Sequence, residues 1–220
     1  MSVKEDIYRG IRKAIIDESL SPGERLVEAN LCKEFGASRG PVREAFTQLN
    51  REGFVELIPN KGAVVTKISV QDLRDYYTLV AMLESKAVEW AIPGLNPSDV
   101  TALTAINQDM AKIVANDEED CLQAWTRKNM QFHRFFWEKS GNLKLVEQIQ
   151  EMRQRILRYR YTSLMVSSFS DYLGDHEAII AAVKDKDAHR ASLIMRQHIL
   201  RALDVLLKHF ARLPGRSIYG

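Results

Sequence analysis

The stretch Ser38-Arg39-Gly40-Pro41-Val42-Arg43-Glu44-Ala45-Phe46-Thr47-Gln48-Leu49-Asn50-Arg51-Glu52-Gly53 decides how the first third of the chain folds. Val42, Ala45, Phe46 and Leu49 recur every three or four positions, the period that lays one apolar stripe along a helix. The Ser38 hydroxyl is placed to cap the N–H of Gly40, and Pro41 suits the first turn because its missing N–H would have no partner there. Gly53 ends the helix. Working backwards, residues 29–35 read as a short helix with Leu31, Cys32 and Phe35 on one side, stopped by Gly36. Ser21-Pro22-Gly23 is a turn, and Ile7, Ile11, Ala14 and Ile15 give a first helix over 4–18. Working forwards, strands over 54–58 and 63–65 flank the turn Pro59-Asn60-Lys61-Gly62. Helix-turn-helix followed by a β-hairpin is a winged helix, which we assign to residues 1–67.

Arg39, Arg43 and Thr47 stand at i, i+4 and i+8, on one face away from the apolar stripe. Arginines at the start of a helix after a tight turn suit a recognition helix in the major groove of double-stranded DNA. The planar fork of arginine matches guanine O6 and N7. Ser38 and the bare backbone at Gly40 can approach phosphates, and Lys61 and Gly62 at the wing tip reach backbone or minor groove. The plainer alternative makes both arginines ordinary solvated charges, but the order of elements around them favours the DNA reading.

The whole chain of 220 residues has 31 basic and 29 acidic residues, a net charge of +2. Residues 1–66 hold ten of each sign, so charge must be segregated by face and non-specific DNA affinity should be modest. A single neutral winged helix binds weakly. A homodimer reading two half-sites of an operator is therefore expected.

Residues 68–220 contain no strand pattern. Amphipathic helices are expected over 70–92 (Ser69 as cap, Pro93-Gly94 as stop), after Asn96-Pro97, and over 119–140, 143–165, 172–184 and 188–211. Short loops should pack neighbours antiparallel as a bundle. The fold class is thus mainly α, a winged helix-turn-helix plus an all-α antiparallel bundle. The longest uncharged run, residues 161–170, is too short for a membrane span. The N-terminus has no signal-peptide character, and Cys32 and Cys121 form no framework and read as buried free thiols. A cytoplasmic, membrane-free protein is expected.

Three of five histidines fall on apolar helix faces. His133 follows Asn129 by four residues, His176 shares a face with Ile179, Ile180 and Val183, and His198 with Ile194, Ala202 and Val205. A buried imidazole needs a partner. Three of them with an oxygen ligand suit Zn, Ni, Mn or Fe. Taken singly, each also fits a hydrogen-bonded core histidine. His189 and His209 read as surface residues. Trp125, Phe132, Phe135, Phe136 and Trp137 read as bundle core and dimer contact. Arg153, Arg155, Arg158 and Arg160, with Tyr159 and Tyr161, read as a solvated helix face.

Residues 21–62 resemble the GntR family of bacterial transcription regulators. The resemblance is carried by Ser21-Pro22-Gly23-Glu24-Arg25-Leu26, then residues 38–45, then Glu52-Gly53 and Lys61-Gly62, in order and at matching spacing. The helical remainder resembles the FadR-type (FCD) ligand-binding domain, in its VanR-like six-helix form. The resemblance implies operator contacts from Arg39, Arg43 and the wing, with Ser38 and Gly40 matching the polar groups the family uses at the start of the recognition helix. Ala29 stands where some members carry a DNA-contacting arginine, so that contact should be absent. It also implies a divalent metal ion (Zn, Ni or Mn) on Asn129, His133, His176 and His198, with Asn129 where aspartate is commoner. The metal would help anchor a small-molecule effector, an organic acid or carboxylate. Val80 stands where an arginine is common ahead of Leu83-Glu84, so the effector should be less acidic or held by another group. A ligand-responsive repressor follows. Two other classes remain in view: a metal-dependent hydrolase with a DNA-tethering domain, and a metal-free helical interaction module. Against the hydrolase stands the lack of an H-E-x-x-H-type general-base motif.

Overall fold

In the computed structural model, which describes residues 2–16, 19–59, 61–67, 70–116, 121–157, 159, 163 and 169–211, the chain divides into two units, Met1–Ser69 and Val70–Gly220. The first unit contains α1 (Val3–Ile16), β1 (Arg25–Leu26), α2 (Glu28–Glu34), α3 (Arg39–Arg51), β2 (Val55–Ile58) and β3 (Gly62–Val65). Helix α3 buries Val42, Ala45, Phe46 and Leu49, and α1 lays Ile7, Tyr8, Ile11 and Ile15 against it. The Tyr8 hydroxyl donates to Glu52 just past the end of α3, at 2.7 and 2.8 Å, which ties the two helices through a polar contact. Ala63 and Val65 face the core while Val64 lies between them on the outer side, the period-2 burial of a strand covered on one face.

The sheet order is β1-β3-β2, all antiparallel, with Leu26 opposite Ala63 and Leu57 opposite Ala63 from the other side. Strand β1 corrects the two-stranded hairpin. Two residues are too few for any periodicity signal, and they pair because the turn at Gly23 (φ +83°) returns the chain onto β3. The close approach of β1 to β3 requires glycine at 62: its φ is +92°, and a Cβ there would lie 2.3 Å from the Leu26 carbonyl oxygen.

Two local expectations differ. Ser38 adopts the extended N-cap conformation, but its side chain makes no cap hydrogen bond and stays exposed. Cys32 and Cys121 are free but half-buried rather than buried.

The second unit contains α4 (Val70–Ala91), a 3-10 turn (Ile92–Gly94), α5 (Pro97–Asn116), α6 (Cys121–Lys139), α7 (Leu143–Arg155), α8 (Phe169–Lys184) and α9 (Ala188–Ala211). Asn96 caps α5, its Oδ1 accepting from the N–H of Ser98 (2.9 Å) and Asp99 (3.2 Å), while Asp99 accepts from the Asn96 N–H at 2.9 Å. Helix α4 buries one broad face, Leu73, Tyr77, Val80, Ala81, Glu84, Ala87, Val88 and Ala91, against α6, α7 and α9. Its sequence neighbour α5 packs instead on α6 and α8. The bundle therefore combines successive pairs, α5 with α6 and α8 with α9, with the non-successive contacts of α4. The Lys186 ammonium donates to the Ile92 and Leu95 carbonyls and holds the 3-10 turn that redirects the chain after α4.

The helix expected over 143–165 ends at Arg155: Ile156 leaves helical geometry (φ −101°, ψ 6°) and is buried. No glycine or proline marks this break. The expected cap Ser69, the turn residue Asn60 and the basic residues Arg158 and Arg160 with Tyr161 lie outside the described residues. Among the described residues no helix is long and apolar enough to cross a membrane. Architecture is thus mainly α, with a winged helix-turn-helix followed by a helical unit.

Candidate functional site

His133 on α6, His176 on α8 and His198 on α9 are buried and brought together, one ring nitrogen of each lying within 4.8 Å of the others. Their Nδ1 atoms face oxygens: His133 the Glu84 Oε2 at 2.7 Å, His176 the Asn107 Oδ1 at 3.3 Å, and His198 the Asp175 Oδ2 at 3.2 Å. Both carboxylates accept only, so the Nδ1 atoms of His133 and His198 must carry the protons and their Nε2 atoms the lone pairs. Those two Nε2 atoms stand 3.3 Å apart. Two lone pairs facing one another repel, and a cation between them removes the conflict. This is how carboxylate-anchored histidines are oriented around metals.

Asn129, one turn before His133, is buried, and its Oδ1 has no hydrogen-bond partner among the described residues. An orphaned buried acceptor beside facing imidazole lone pairs fits a divalent cation held by three nitrogens and one amide oxygen. Burial pushes His133 down to about 3, with Glu84 opposing only in part, so the ring is neutral, the form that ligates. Burial alone would raise the Glu84 carboxyl. Arg153 and His133 outweigh it and hold the group at about 2, ionised. Arg153 donates its Nε to Glu84 Oε1.

A cavity of ≈ 40 Å³ adjoins the cluster, lined by Tyr77, Val80, Asn129, His133, Arg153 and His198 among others. Arg153 is a correction: it is buried and not part of a solvated face, with its guanidinium 5.2 Å from the Trp137 ring centre. The signal was there to read, because Arg153 extends the buried row Leu145, Ile149 on α7 at four-residue spacing. Asn107 was missed in the same way, as an amide within the buried row Leu103, Ile106, Met110. Phe132 stacks on His176 at 4.0 Å, and Trp125, Phe136 and Trp137 are core, as the apolar spacing requires, with Phe135 half-buried. His189 is exposed and His209 half-buried.

In the first unit, Arg25, Arg39, Arg43, Lys61 and Gly62 line one concave surface together with Glu28. Arg25 enters the sequence argument only as a member of the Ser21–Leu26 motif. Its guanidinium donates to the Lys61 carbonyl at 3.3 and 3.4 Å and braces the wing. Arg43 is exposed, and Glu28 accepts from its Nε at 2.9 and 3.0 Å. Ser38, Arg39 and Gly40 are exposed at the start of α3. The Thr47 hydroxyl donates back to the Arg43 carbonyl at 2.8 Å and sits on the adjoining surface with Lys4 and Arg51.

Residues 3–65 match the model of the gntR family of bacterial regulatory proteins, and residues 75–201, more than half the chain, match the FCD domain. The chain belongs to the GntR family, in its FCD-domain branch. This GntR regulator is 29% identical over 212 residues to the HTH-type transcriptional repressor GlaR of Escherichia coli K12, across 94% of this chain and 96% of that one. It is also similar to a solved GntR-family regulator from Pseudomonas syringae pv. tomato, at 29% identity and TM-score 0.54, covering 95% of this chain and 86% of that one. E. coli McbR/YncC shares the fold at 22% identity and TM-score 0.62, over 96% and 99% of the two chains. The family match makes this chain a transcription regulator and not the metal-dependent hydrolase kept in view above.

Proposed function

We propose that this GntR regulator is a homodimeric repressor that binds a palindromic operator and releases it on binding a small organic acid next to a divalent metal. The single observation that carries the metal-assisted reading is the pair of facing Nε2 atoms, 3.3 Å apart, on histidines whose Nδ1 atoms are committed to carboxylates. His133, His176, His198 and Asn129 would hold the ion, with Glu84, Asp175 and Asn107 orienting the rings from behind. A bound Zn, Ni or Mn supplies a fixed positive charge to which a carboxylate can bind. The chain's own groups do the rest: burial keeps the His133 ring neutral, and the lining side chains shape the cavity.

On the DNA side, Arg39 and Arg43 supply base contacts, Ser38 and Gly40 approach phosphate, Thr47 flanks them, and Lys61-Gly62 form the wing contact. Residues 1–67 act as the DNA-binding domain and 68–220 as the effector and dimerisation domain. The effector shifts operator affinity only as far as it favours one arrangement of the reading heads over the other. DNA selected from a random pool, followed by fluorescence anisotropy, tests the operator assignment. Arg39→Ala should abolish specific binding with the circular-dichroism spectrum unchanged, and unaltered binding would sink it. Elemental analysis of purified protein tests the metal, with His133→Ala and His176→Ala expected to lose it; absence of any bound divalent metal in the wild type after loading refutes that half.

A further inference from the structure

Arg39 and Arg43 look alike in sequence, two arginines one turn apart on one face of α3, but the structure distinguishes them. Arg39 is exposed and makes no hydrogen bond or ion pair among the described residues. Arg43 is also exposed, yet both carboxylate oxygens of Glu28 accept from its Nε, at 2.9 and 3.0 Å. Glu28 is the one acid among the described residues lining the concave surface, beside Arg25, Arg39, Arg43 and Lys61. Resting on the operator reading above, we propose that Glu28 is the positioning residue that gives Arg43 its specificity: it fixes the guanidinium for guanine and cancels the charge that phosphate would otherwise attract.

An acid on a surface offered to a polyanion needs a physical reason. Stability is a poor one, because solvent screens an exposed ion pair and holding two long side chains together costs entropy. Orientation is a better one. The Glu28 side chain is 21% exposed and that of Arg43 62%, so the covered carboxylate is the fixed end and the guanidinium the end it holds. The contact runs from the first turn of α2 to α3, so Arg43 takes its direction from a second helix and not from its own rotamer alone.

The donors that remain decide what Arg43 can read. With Nε committed to Glu28, Nη1 and Nη2 make no hydrogen bond among the described residues. Two N–H groups at the end of a held, planar fork match guanine O6 and N7. A phosphate makes no such demand on geometry and is drawn by net charge, which the Glu28–Arg43 pair lacks. Arg43 therefore adds to discrimination between sequences and little to non-specific binding, whereas Arg39 keeps its full charge. Ala29, next to Glu28 on the same surface, offers no side-chain donor that would draw the carboxylate away.

The competing explanation makes Glu28 only a favourable acid at the first turn of α2. Fluorescence anisotropy of the full chain separates the two, with an operator duplex selected from a random pool and a scrambled duplex of the same length. In Glu28→Gln the ratio of the two affinities should fall by roughly tenfold. Log affinity for the scrambled duplex should also fall more steeply with log salt, by about 0.9 per bound protomer, the contribution of one more phosphate contact. Glu28→Asp keeps the charge on α2 but reaches one methylene less far, so the ratio should fall with the slope unchanged. On an Arg43→Ala background, Glu28→Gln should have no further effect on the ratio. Should Glu28→Gln fail to fold, Glu28→Asp carries the test. A wild-type ratio in either Glu28 variant, an unchanged slope in Glu28→Gln, or a full further loss on the Arg43→Ala background overturns the inference and leaves the operator reading standing. A wild type that binds selected and scrambled duplexes equally sinks the operator reading itself.

Discussion

Glu84→Gln tests whether the histidine cluster and Arg153 depend on one buried charge. Glu84 is 0% exposed, and its two oxygens are shared between His133 Nδ1 at 2.7 Å and Arg153 Nε. Glutamine keeps the volume but replaces one acceptor by a donating amide. Whichever way the amide turns, either the imidazole N–H or the guanidinium N–H meets another donor. Arg153, whose side chain is 9% exposed, also loses its counter-charge. Removing one member of a buried ion pair costs about 3–5 kcal/mol, because the other is left charged and unpaired. The carboxyl group is held at about 2 against an ordinary 4.5, which corresponds to about 3 kcal/mol in favour of the charged form, the same size. For a helical unit of this length, roughly 2–4 °C per kcal/mol gives a fall of about 6–12 °C in the melting temperature of residues 70–220. Differential scanning calorimetry of the full chain in EDTA reads this without any contribution from bound metal. In a separate competition against a chelating dye, zinc affinity should drop by about 10–100-fold as His133 loses its anchor. A melting temperature within about 2 °C of wild type would refute the reasoning, since it would mean that Arg153 and His133 find equivalent partners without the carboxylate.

Gly62→Ala places a Cβ 2.3 Å from the Leu26 oxygen at φ +92°, so it should cost about 3 kcal/mol or more in urea unfolding of the winged helix and weaken DNA binding through Lys61; wild-type stability would show that β1 can give way. Asp99→Asn should behave differently with pH. The Lys139 ammonium at 2.9 Å and the Asn96 N–H hold the Asp99 carboxyl below its ordinary 3.8. A group depressed on folding contributes stability above its unfolded pKa and loses it as pH falls through the folded one. The gap between wild type and variant in thermal melts should therefore be full at neutral pH and close below pH 3.8; a gap independent of pH contradicts it. Asn129→Asp adds a negative ligand beside the three imidazoles and should raise zinc affinity in dye competition, with an unchanged or lower affinity counting against Asn129 as a ligand.

Helix periodicity in the sequence was enough to place the winged helix and the three inward histidines, because both are written as apolar rows that a helix must bury. Val42, Ala45, Phe46 and Leu49 locate α3 without any tertiary information, and His133, His176 and His198 each sit on a largely apolar row, that of His133 also holding Thr126 and Asn129. Three features escaped for distinct physical reasons. Strand β1 spans two residues, below the length at which alternation exists. The Ser38 hydroxyl has the right residue type and backbone for a cap, yet hydrogen-bond choice at an exposed hydroxyl is decided by solvent as well as spacing. The end of α7 at Arg155 carries no breaker residue, and Ile156 just beyond it is buried, which is a tertiary quantity.

Arg153 shows where periodic reading needs a different rule. A cation is usually taken as marking the wet side of a helix, and four basic residues between 153 and 160 strengthened that habit. Yet Leu145, Ile149 and Arg153 form one row, and a charge continuing an apolar row is either buried against a counter-charge or folded back to the surface. The sequence also contains the counter-charge, since Glu84 continues the buried row Tyr77, Val80, Ala81 on α4. Two opposite charges, each alone on an otherwise apolar row of a different helix, have one low-energy arrangement, which is to meet. That pairing brings α7 onto α4 beside His133. The same contact that cancels the cost of burying both charges therefore places a guanidinium fork at the edge of the histidine cavity.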